Sequence, residues 1–275
     1  MIKAEKIFRE NIEEILENGY STENEKVRPH YEDGTPSHTL FIPQTYEKYD
    51  ISKGEFPIIS LRPIAWKSGI KEILWIYQDQ SNELSTLKEK YNIHWWDDWN
   101  VGDGTIGMRY GATVKKYDLM NKLLDGLKNE PYGRRHIMDL YQYSDFEESK
   151  GLHPCAFMTL WTVRGEFLDM TLVQRSNDYL VAGHINKIQY VALLMMVAKS
   201  TGYKPGIFTH LVQNLHIYDR HIEQAKKLLN RTPSDNQPKL ILDTDKTNFY
   251  EFTINDFKMQ NYDPIKPQLN FELAI

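Results

Sequence analysis

The chain has 275 residues, 41% of them hydrophobic and 26% charged, which suits a globular protein with one sizeable core. Its formal net charge of -5 disfavours binding to nucleic acid or anionic lipid, so an anionic ligand would need a local cluster of arginines. No apolar run approaches the roughly 18 residues that cross a bilayer, and the first residues do not resemble a signal peptide. We therefore expect a cytoplasmic protein without membrane contact.

Taken in chain order, apolar residues at helical spacing alternate with β-rich runs and turn-forming loops. Loops are predicted at 28–39 and 102–111, and glycines at 19 and 202 are expected to end helices. The predicted helices cover residues 2–18, 68–79, 115–129, 186–200 and 219–230. The predicted strands cover 156–163 and 166–174, joined as a hairpin, and 240–242 and 249–253. No repeat or linker interrupts this order, so we predict one α+β domain over residues 1–275.

Cys155, the only cysteine, follows a proline at the start of the predicted hairpin. Such a cysteine is either a packing residue or a reactive thiol, and a single one excludes an internal disulfide. Because a hairpin brings its outer ends together, we expect Arg175 to lie near Cys155. Arg28, Arg134 and Arg135 also occupy loop-like positions, and arginine suits bidentate binding of phosphate. These residues favour a reactive cysteine beside an oxyanion pocket.

Three further polar residues have both a structural and a functional interpretation. Glu72 lies among apolar residues of a predicted helix, either as a core-edge carboxylate or as a catalytic acid or base. His216 and Tyr218 are two residues apart and therefore share one face of an extended segment, a position that ordinary half-buried polar residues also occupy.

No metal is expected, because His216 and His221 have the wrong spacing for a helical zinc pair, and Arg109 stands where a calcium loop needs glutamate.

Several short motifs occur in a fixed order along nearly the whole chain. They are Arg28 before Asp33-Gly34-Thr35, Glu72-Ile73-Leu74-Trp75, Trp96-Asp97-Asp98-Trp99, Tyr110-Gly111, Arg134-Arg135, His153-Pro154-Cys155, Gln174-Arg175-Ser176-Asn177-Asp178, Asn186, His216-Ile217-Tyr218 and the final Leu273-Ala274-Ile275. In order and spacing these motifs resemble the thymidylate synthase family. The resemblance implies a three-layer α/β sandwich whose mixed, twisted sheet forms the interface of a homodimer. It also implies reductive C5-methylation of dUMP to dTMP, with 5,10-methylenetetrahydrofolate as co-substrate and without a metal.

The same resemblance assigns a role to each matching position. Cys155, activated by Arg175, would attack C6 of the pyrimidine as a thiolate. Glu72 and Tyr110 would manage proton transfers, and Asn186 would read O4 and N3 of uracil. The other implied residues are Arg28, Gln174, Arg175 and Ser176 for the nucleotide and its phosphate, Arg134 and Arg135 for the phosphate of the neighbouring subunit, His216 and Tyr218 for the ribose, and Trp96, Trp99, Asp178, Ala182 and Ala274 for the folate.

Four places depart from the pattern of that family, and two of them are Tyr141-Gln142 for the usual Trp-Asn and Ala156 for the usual His. Residues 181–185 read Val-Ala-Gly-His-Ile where Leu-Gly-x-Pro-Phe is usual, and Gln213-Asn214 replaces Gly-Asp. These changes leave open a pyrimidine nucleotide hydroxymethylase, in which water instead of hydride quenches the exocyclic methylene intermediate. The retained Trp96 and the C-terminal Ala274-Ile275 favour methylation, because both would shield that intermediate from water. A binding protein without turnover is a third alternative, and the complete set of catalytic positions argues against it.

Overall fold

The computed structural model describes residues 1–275, and a seven-stranded mixed sheet lies at its centre. Its strands are β1 (Tyr20–Ser21), β2 (Thr39–Asp50), β3 (Ile137–Asp139), β4 (Ala156–Arg164), β5 (Phe167–Gln174), β6 (Asn177–Asp178) and β7 (Lys204–Tyr218). The order across the sheet is β1, β2, β7, β5, β4, β3, with β6 beside β7. Strands β5 and β6 run parallel to β7, and the other pairs are antiparallel. A separate pair joins β8 (Lys239–Leu242) to β9 (Phe257–Gln260).

The helices cover one face of the sheet in two layers. They are α1 (Lys3–Asn18), α2 (Trp66–Tyr77), α3 (Leu84–Tyr91), α4 (Gly111–Lys116), α5 (Leu119–Asn129), α6 (Tyr143–Glu148), α7 (Gly183–Thr201) and α8 (Ile222–Leu229). Helix α7 packs on β5 and β7, and α2 packs on α7. Because α7 is apolar on nearly all sides, it is buried along most of its length. It ends at Gly202, whose φ of 83° is a left-handed conformation that glycine adopts without strain.

The opposite face of the sheet carries no helix and remains apolar in part. Side chains of β5 alternate strictly between buried and half-buried, as expected when only one face is covered. On the uncovered face Tyr46, Leu211 and Ile137 are 59%, 38% and 47% exposed, and Tyr46 pairs directly with Leu211 across β2 and β7. The sheet therefore presents an apolar surface that this chain does not itself cover.

The predicted α+β class and the hairpin of β4 and β5 are confirmed. Two local predictions are wrong, and the helix predicted over 219–230 is confirmed except at its ends. The helix predicted over 115–129 is two helices, α4 and α5, separated where Asp118 adopts a left-handed φ of 51°. Residues 249–253 form a short 3-10 helix, Phe249–Glu251, and β9 pairs with β8 instead. The segment 219–230 begins with a 3-10 turn, Asp219–His221, before α8. None of the helices is both long and apolar enough to cross a membrane.

Candidate active site

A cavity of about 470 Å³ lies where β5, β6 and β7 end, and distant parts of the chain meet there. The carboxyl ends of parallel strands are a common place for a ligand site, because loops and helix starts converge there. Thirteen residues predicted for the site line this cavity, and they are Arg28, Glu72, Trp96, Trp99, Cys155, Arg175, Ser176, Asp178, Ala182, Asn186, His216, Tyr218 and Ala274. The fold thus brings together most of the residues that the motifs indicate.

Four predicted residues do not line the cavity. Tyr110 lies directly behind it, since its hydroxyl oxygen accepts a hydrogen bond from the backbone N–H of Cys155 at 3.2 Å. Gln174 is buried behind the cavity wall. Arg134 and Arg135 are exposed immediately before β3, at the edge of the sheet. Within a single chain, those two arginines are therefore apart from the cysteine.

Cys155 stands just before β4, beside the end of β5 that carries Arg175. The Arg175 guanidinium donates from Nη2 to the Cys155 sulfur at 3.4 Å and to the His153 carbonyl at 2.7 Å. Its Nε donates to the Pro154 carbonyl at 3.0 Å, so two backbone oxygens fix its position. Burial raises the pKa of the Cys155 thiol, and the positive charges of Arg175 and Arg28 oppose that increase.

Tyr110 reaches the cysteine from a strained backbone conformation, with φ of 47° and ψ of -107°. The next residue must be glycine, because a Cβ at Gly111 would lie 2.2 Å from the carbonyl oxygen of Ser81. The Tyr110 ring packs edge-on against Trp96, with centroids 5.3 Å apart. Burial is the main cause that raises the Tyr110 pKa, so its hydroxyl stays protonated near neutral pH. Strain of this kind is held by the surrounding packing and is frequent at functional sites.

Glu72 projects from α2 into the cavity with a side chain that is almost fully buried. Burial raises its pKa to about 7, opposed by the nearby N–H groups of Trp96, Trp95 and Gln189. The indole of Trp95 donates to the Glu72 carboxylate at 2.6 Å, a contact that the motifs do not indicate. Glu72 can therefore exist in both protonation states near neutral pH, as an acid–base group requires.

Asn186 is held by three other side-chain amides. Its Oδ1 accepts hydrogen bonds from Gln174 Nε2 at 3.2 Å and from Asn177 Nδ2 at 3.1 Å. Its Nδ2 donates to Gln189 Oε1 at 2.9 Å. Gln189 was missed by sequence reasoning, although it lies three residues after Asn186 on the same face of α7, where side chains meet.

The end of β7 contributes His216 and Tyr218, whose rings pack edge-on at 5.2 Å. His216 Nδ1 lies 2.9 Å from the Asn214 side-chain oxygen, so the amide that departs from the family pattern contacts a predicted site residue. Burial lowers the pKa of His216 to about 4, which keeps the imidazole neutral. Burial also raises the pKa of Asp178 to about 7, opposed by the backbone N–H groups of Val181 and Leu180.

The last residues of the chain close one side of the cavity. Leu273 and Ala274 line it, and Ile275 exchanges two backbone hydrogen bonds with His30, at 2.8 and 3.0 Å. Three charged residues hold this segment, and we call them the tail clasp: Asp33, Arg220 and Glu272. Arg220 donates to both oxygens of Glu272 at 2.8 and 2.9 Å, and to Asp33 at 2.8 Å.

The segment 181–185, which departs from the family pattern, forms part of the cavity wall through Val181, Ala182 and Ile185. No group of three or more His, Cys, Asp or Glu side chains is arranged to hold a metal ion. The arrangement as a whole offers a nucleophile, a titratable carboxyl group, two arginines and an amide, all lining one cavity. Such a set can add a thiol to a polarised ring and move protons around it.

Comparison with known proteins gives one consistent result. The sequence model of the family described as "Thymidylate synthase" matches residues 6–275. The thymidylate synthase of Streptococcus pneumoniae strain 70585 is 57% identical over 281 residues, covering 100% of both sequences. That of Lactococcus lactis subsp. lactis strain IL1403 is 54% identical over 281 residues, also with 100% coverage of both. The solved structure of thermostable thymidylate synthase A from Bacillus subtilis matches with a TM-score of 0.92 and 36% identity, over 98% of this chain and 99% of that one.

Proposed function

The chain belongs to the thymidylate synthase family, and from this premise we propose that it methylates dUMP at C5 to give dTMP, with 5,10-methylenetetrahydrofolate as co-substrate. The observation that carries the proposal is the position of Cys155. Its sulfur lies 3.4 Å from the Arg175 guanidinium, in the same cavity as Glu72 and Asn186. A thiol so placed can add to C6 of a uracil ring whose carbonyl is held by the amide.

The proposed reaction follows from what each side chain can do. Cys155 adds as thiolate to C6, which makes C5 a carbon nucleophile for the one-carbon unit of the folate. Glu72 gives and takes protons near O4 and the folate nitrogen, and Tyr110 assists removal of the C5 proton. Elimination of the folate leaves an exocyclic methylene group, hydride from the folate reduces it to methyl, and the thiolate departs. The products are dTMP and dihydrofolate, so carbon and hydride are both accounted for.

The phosphate of the nucleotide is proposed to bind Arg28, Arg175 and Ser176, which share the cavity with Cys155. We assign Arg134 and Arg135 to the phosphate of the other subunit in a homodimer. They are exposed at the sheet edge, next to the apolar face that carries Tyr46 and Leu211. Burying that face against a second copy would remove apolar surface from water and move these arginines into a neighbouring site.

The folate is proposed to bind against Trp96, Trp99, Asp178, Ala182 and Ala274. Trp96 is buried and packs edge-on against Tyr110 and Trp99, at 5.3 and 5.5 Å. The docked tail lines this side as well, so bound folate and tail together would shield from water the point where the methylene group would form. This enclosure favours reduction by hydride over capture by water, and hence a synthase over the related hydroxymethylase.

The direct test is incubation of the protein with dUMP and methylenetetrahydrofolate. Mass spectrometry should show that the nucleotide gains about 14 mass units, the mass of one CH2. Absorbance should show that dihydrofolate forms in an equal amount. A hydroxymethyl nucleotide with tetrahydrofolate would instead establish the related activity. Cys155→Ser should abolish turnover and retain nucleotide binding, whereas Arg164→Ala, at the exposed end of β4, should change neither.

A second experiment tests the proposed dimer and its two arginines. Arg134→Ala/Arg135→Ala and Cys155→Ser should each be nearly inactive alone. Mixed after brief unfolding and refolding, they should regain activity, because a mixed dimer contains one site with both the cysteine and the arginines. No recovery in a preparation that sediments as a dimer would contradict the assignment of these arginines to the neighbouring site.

A further inference from the structure

A buried histidine lies behind the wall of the cavity, outside the machinery described above. His210 belongs to β7 and is 1% exposed. Its Nε2 is in hydrogen-bonding contact with Gln174 Oε1, whereas its Nδ1 has no partner. Burial lowers the pKa of His210 to about 3, opposed by the charge of Glu47, so the ring is neutral and carries one proton.

The surroundings decide which nitrogen of His210 carries that proton. A proton on Nδ1 would leave a buried N–H donor without an acceptor. It would also make Nε2 an acceptor, so that the Gln174 amide would have to turn its nitrogen toward the ring. A proton on Nε2 satisfies the contact with Gln174 Oε1 and leaves on Nδ1 only an unpaired lone pair, which costs less. The proton therefore belongs on Nε2.

This proton sets the direction of the hydrogen bonds that follow. Gln174 Oε1 accepts from His210, so Gln174 Nε2 faces Asn186 and donates to its Oδ1 at 3.2 Å. Asn177 Nδ2 donates to both oxygens, at 3.1 Å each. Asn186 Nδ2 then donates to Gln189 Oε1 at 2.9 Å. We call the series His210, Gln174, Asn186 and Gln189 the amide chain.

The amide chain limits what Asn186 can offer to a ligand. Its oxygen already accepts two hydrogen bonds, one for each lone pair, and its nitrogen has given one hydrogen to Gln189. One N–H remains, and Asn186 lines the cavity. That group can donate to a carbonyl oxygen such as O4 of uracil, whereas the contact with N3–H that the resemblance implies would require Oδ1 to release one of the two hydrogen bonds it accepts. It cannot accept from the amino group that cytosine carries at the same position.

We infer that His210 is a positioning residue for base selection, because its Nε2–H orients Gln174 and thereby holds Asn186 as a donor toward the cavity. The inference rests on the proposed function, since it concerns the pyrimidine that occupies that site. The other end of the chain agrees with this direction: the Gln189 amide lowers the pKa of Glu72, as a donor near a carboxylate does. Reversal of the chain would place an amide oxygen toward that carboxylate.

The first test measures the tautomer of His210 in the unmodified protein by 15N NMR of labelled histidine. We expect the proton on Nε2, with the His210 signals assigned by their loss in His210→Gln. His184 is an internal control, because it is also buried and its Nδ1 faces the carbonyl oxygen of Pro57 at 3.3 Å. It should show the opposite tautomer in the same spectrum. A proton on Nδ1 of His210 would overturn the inference.

The second test measures base selection through the ratio of dissociation constants for dCMP and dUMP by calorimetry. His210→Leu removes the donor at similar volume and should lower the preference for dUMP at least tenfold. His210→Gln retains a donor and should remain within threefold of the unmodified protein. An unchanged ratio in folded His210→Leu contradicts the inference; should that variant not fold, the NMR result decides. Because neither test requires methyl transfer, failure of the proposed reaction would be seen separately.

Discussion

Replacing Glu72 with glutamine should change the pH dependence of stability as well as catalysis. The pKa of this buried carboxyl group rises from 4.5 to about 7 in the folded protein. At 1.36 kcal/mol for each pH unit, this difference corresponds to roughly 3 kcal/mol. Because the folded pKa is the higher one, the associated stability is fully present below pH 4.5. It is lost as the pH rises through 7, where the unfolded chain has already released the proton.

The neutral amide of Glu72→Gln cannot titrate, so the variant lacks this loss. We expect its free energy of unfolding, relative to the unmodified protein, to increase by about 3 kcal/mol between pH 4 and pH 8. Urea denaturation of both proteins across that range measures the change, and other titrating groups such as Asp178 cancel in the difference. Turnover should fall about 100-fold or more at every pH. A stability difference that stays constant with pH would refute the buried, proton-holding carboxyl group.

Three other perturbations test separate parts of the structure. Arg220→Ala breaks the tail clasp and should raise the KM for methylenetetrahydrofolate about fivefold while the Kd for dUMP stays within twofold, because ion pairs that water reaches stabilise a segment only modestly. Lys226→Ala, in an exposed pair, should change neither. Lys187→Met leaves the buried carboxylate of Glu47 without its counter-ion and should lower the free energy of unfolding by about 3–5 kcal/mol in a urea titration. The double variant Lys187→Met/Glu47→Gln should recover part of that loss, because no buried charge is left unpaired. Alkylation of Cys155 by iodoacetamide should reach half its maximal rate above pH 9, and a midpoint near 7 would contradict the burial effect on this thiol.

Helices could be predicted from the sequence where apolar spacing is regular, and the hairpin of β4 and β5 could be predicted from its turn. Two long strands could not. Strand β2 contains an internal proline and many polar residues, and β7 alternates histidine and glutamine with apolar residues. Their pairing with each other stabilises both, and a contact between strands so far apart in sequence leaves no local signal. The strand predicted at 249–253 is wrong because its aromatic residues, which are common in strands, belong here to a short 3-10 helix.

The site could be predicted where it depends on motifs, and not where it depends on supporting contacts. Cys155 and Arg175 were expected together because a hairpin joins their segments, and the structure places them 3.4 Å apart. Trp95, Gln189 and His210 carry no motif of their own. Each acts by holding another polar side chain; the partners of Trp95 and His210 come from other elements of the fold, whereas Gln189 holds Asn186 within α7 and also approaches Glu72 of α2. Such contacts become visible only when the packing of α2, α7 and β7 is known.

Arg175 has two tasks in the proposed site, and its geometry explains how one side chain can perform both. Stabilising the Cys155 thiolate and binding a phosphate dianion compete for the same positive charge. The Nε and Nη2 atoms are fixed by the carbonyl oxygens of Pro154 and His153, and Nη2 also faces the sulfur. A phosphate therefore cannot pull the guanidinium away from the sulfur, and Nη1 remains to meet it. Arg28, the second charge that lowers the pKa of the thiol, is free to follow the phosphate. The nucleophile is thus held by backbone contacts that binding of the nucleotide does not have to break.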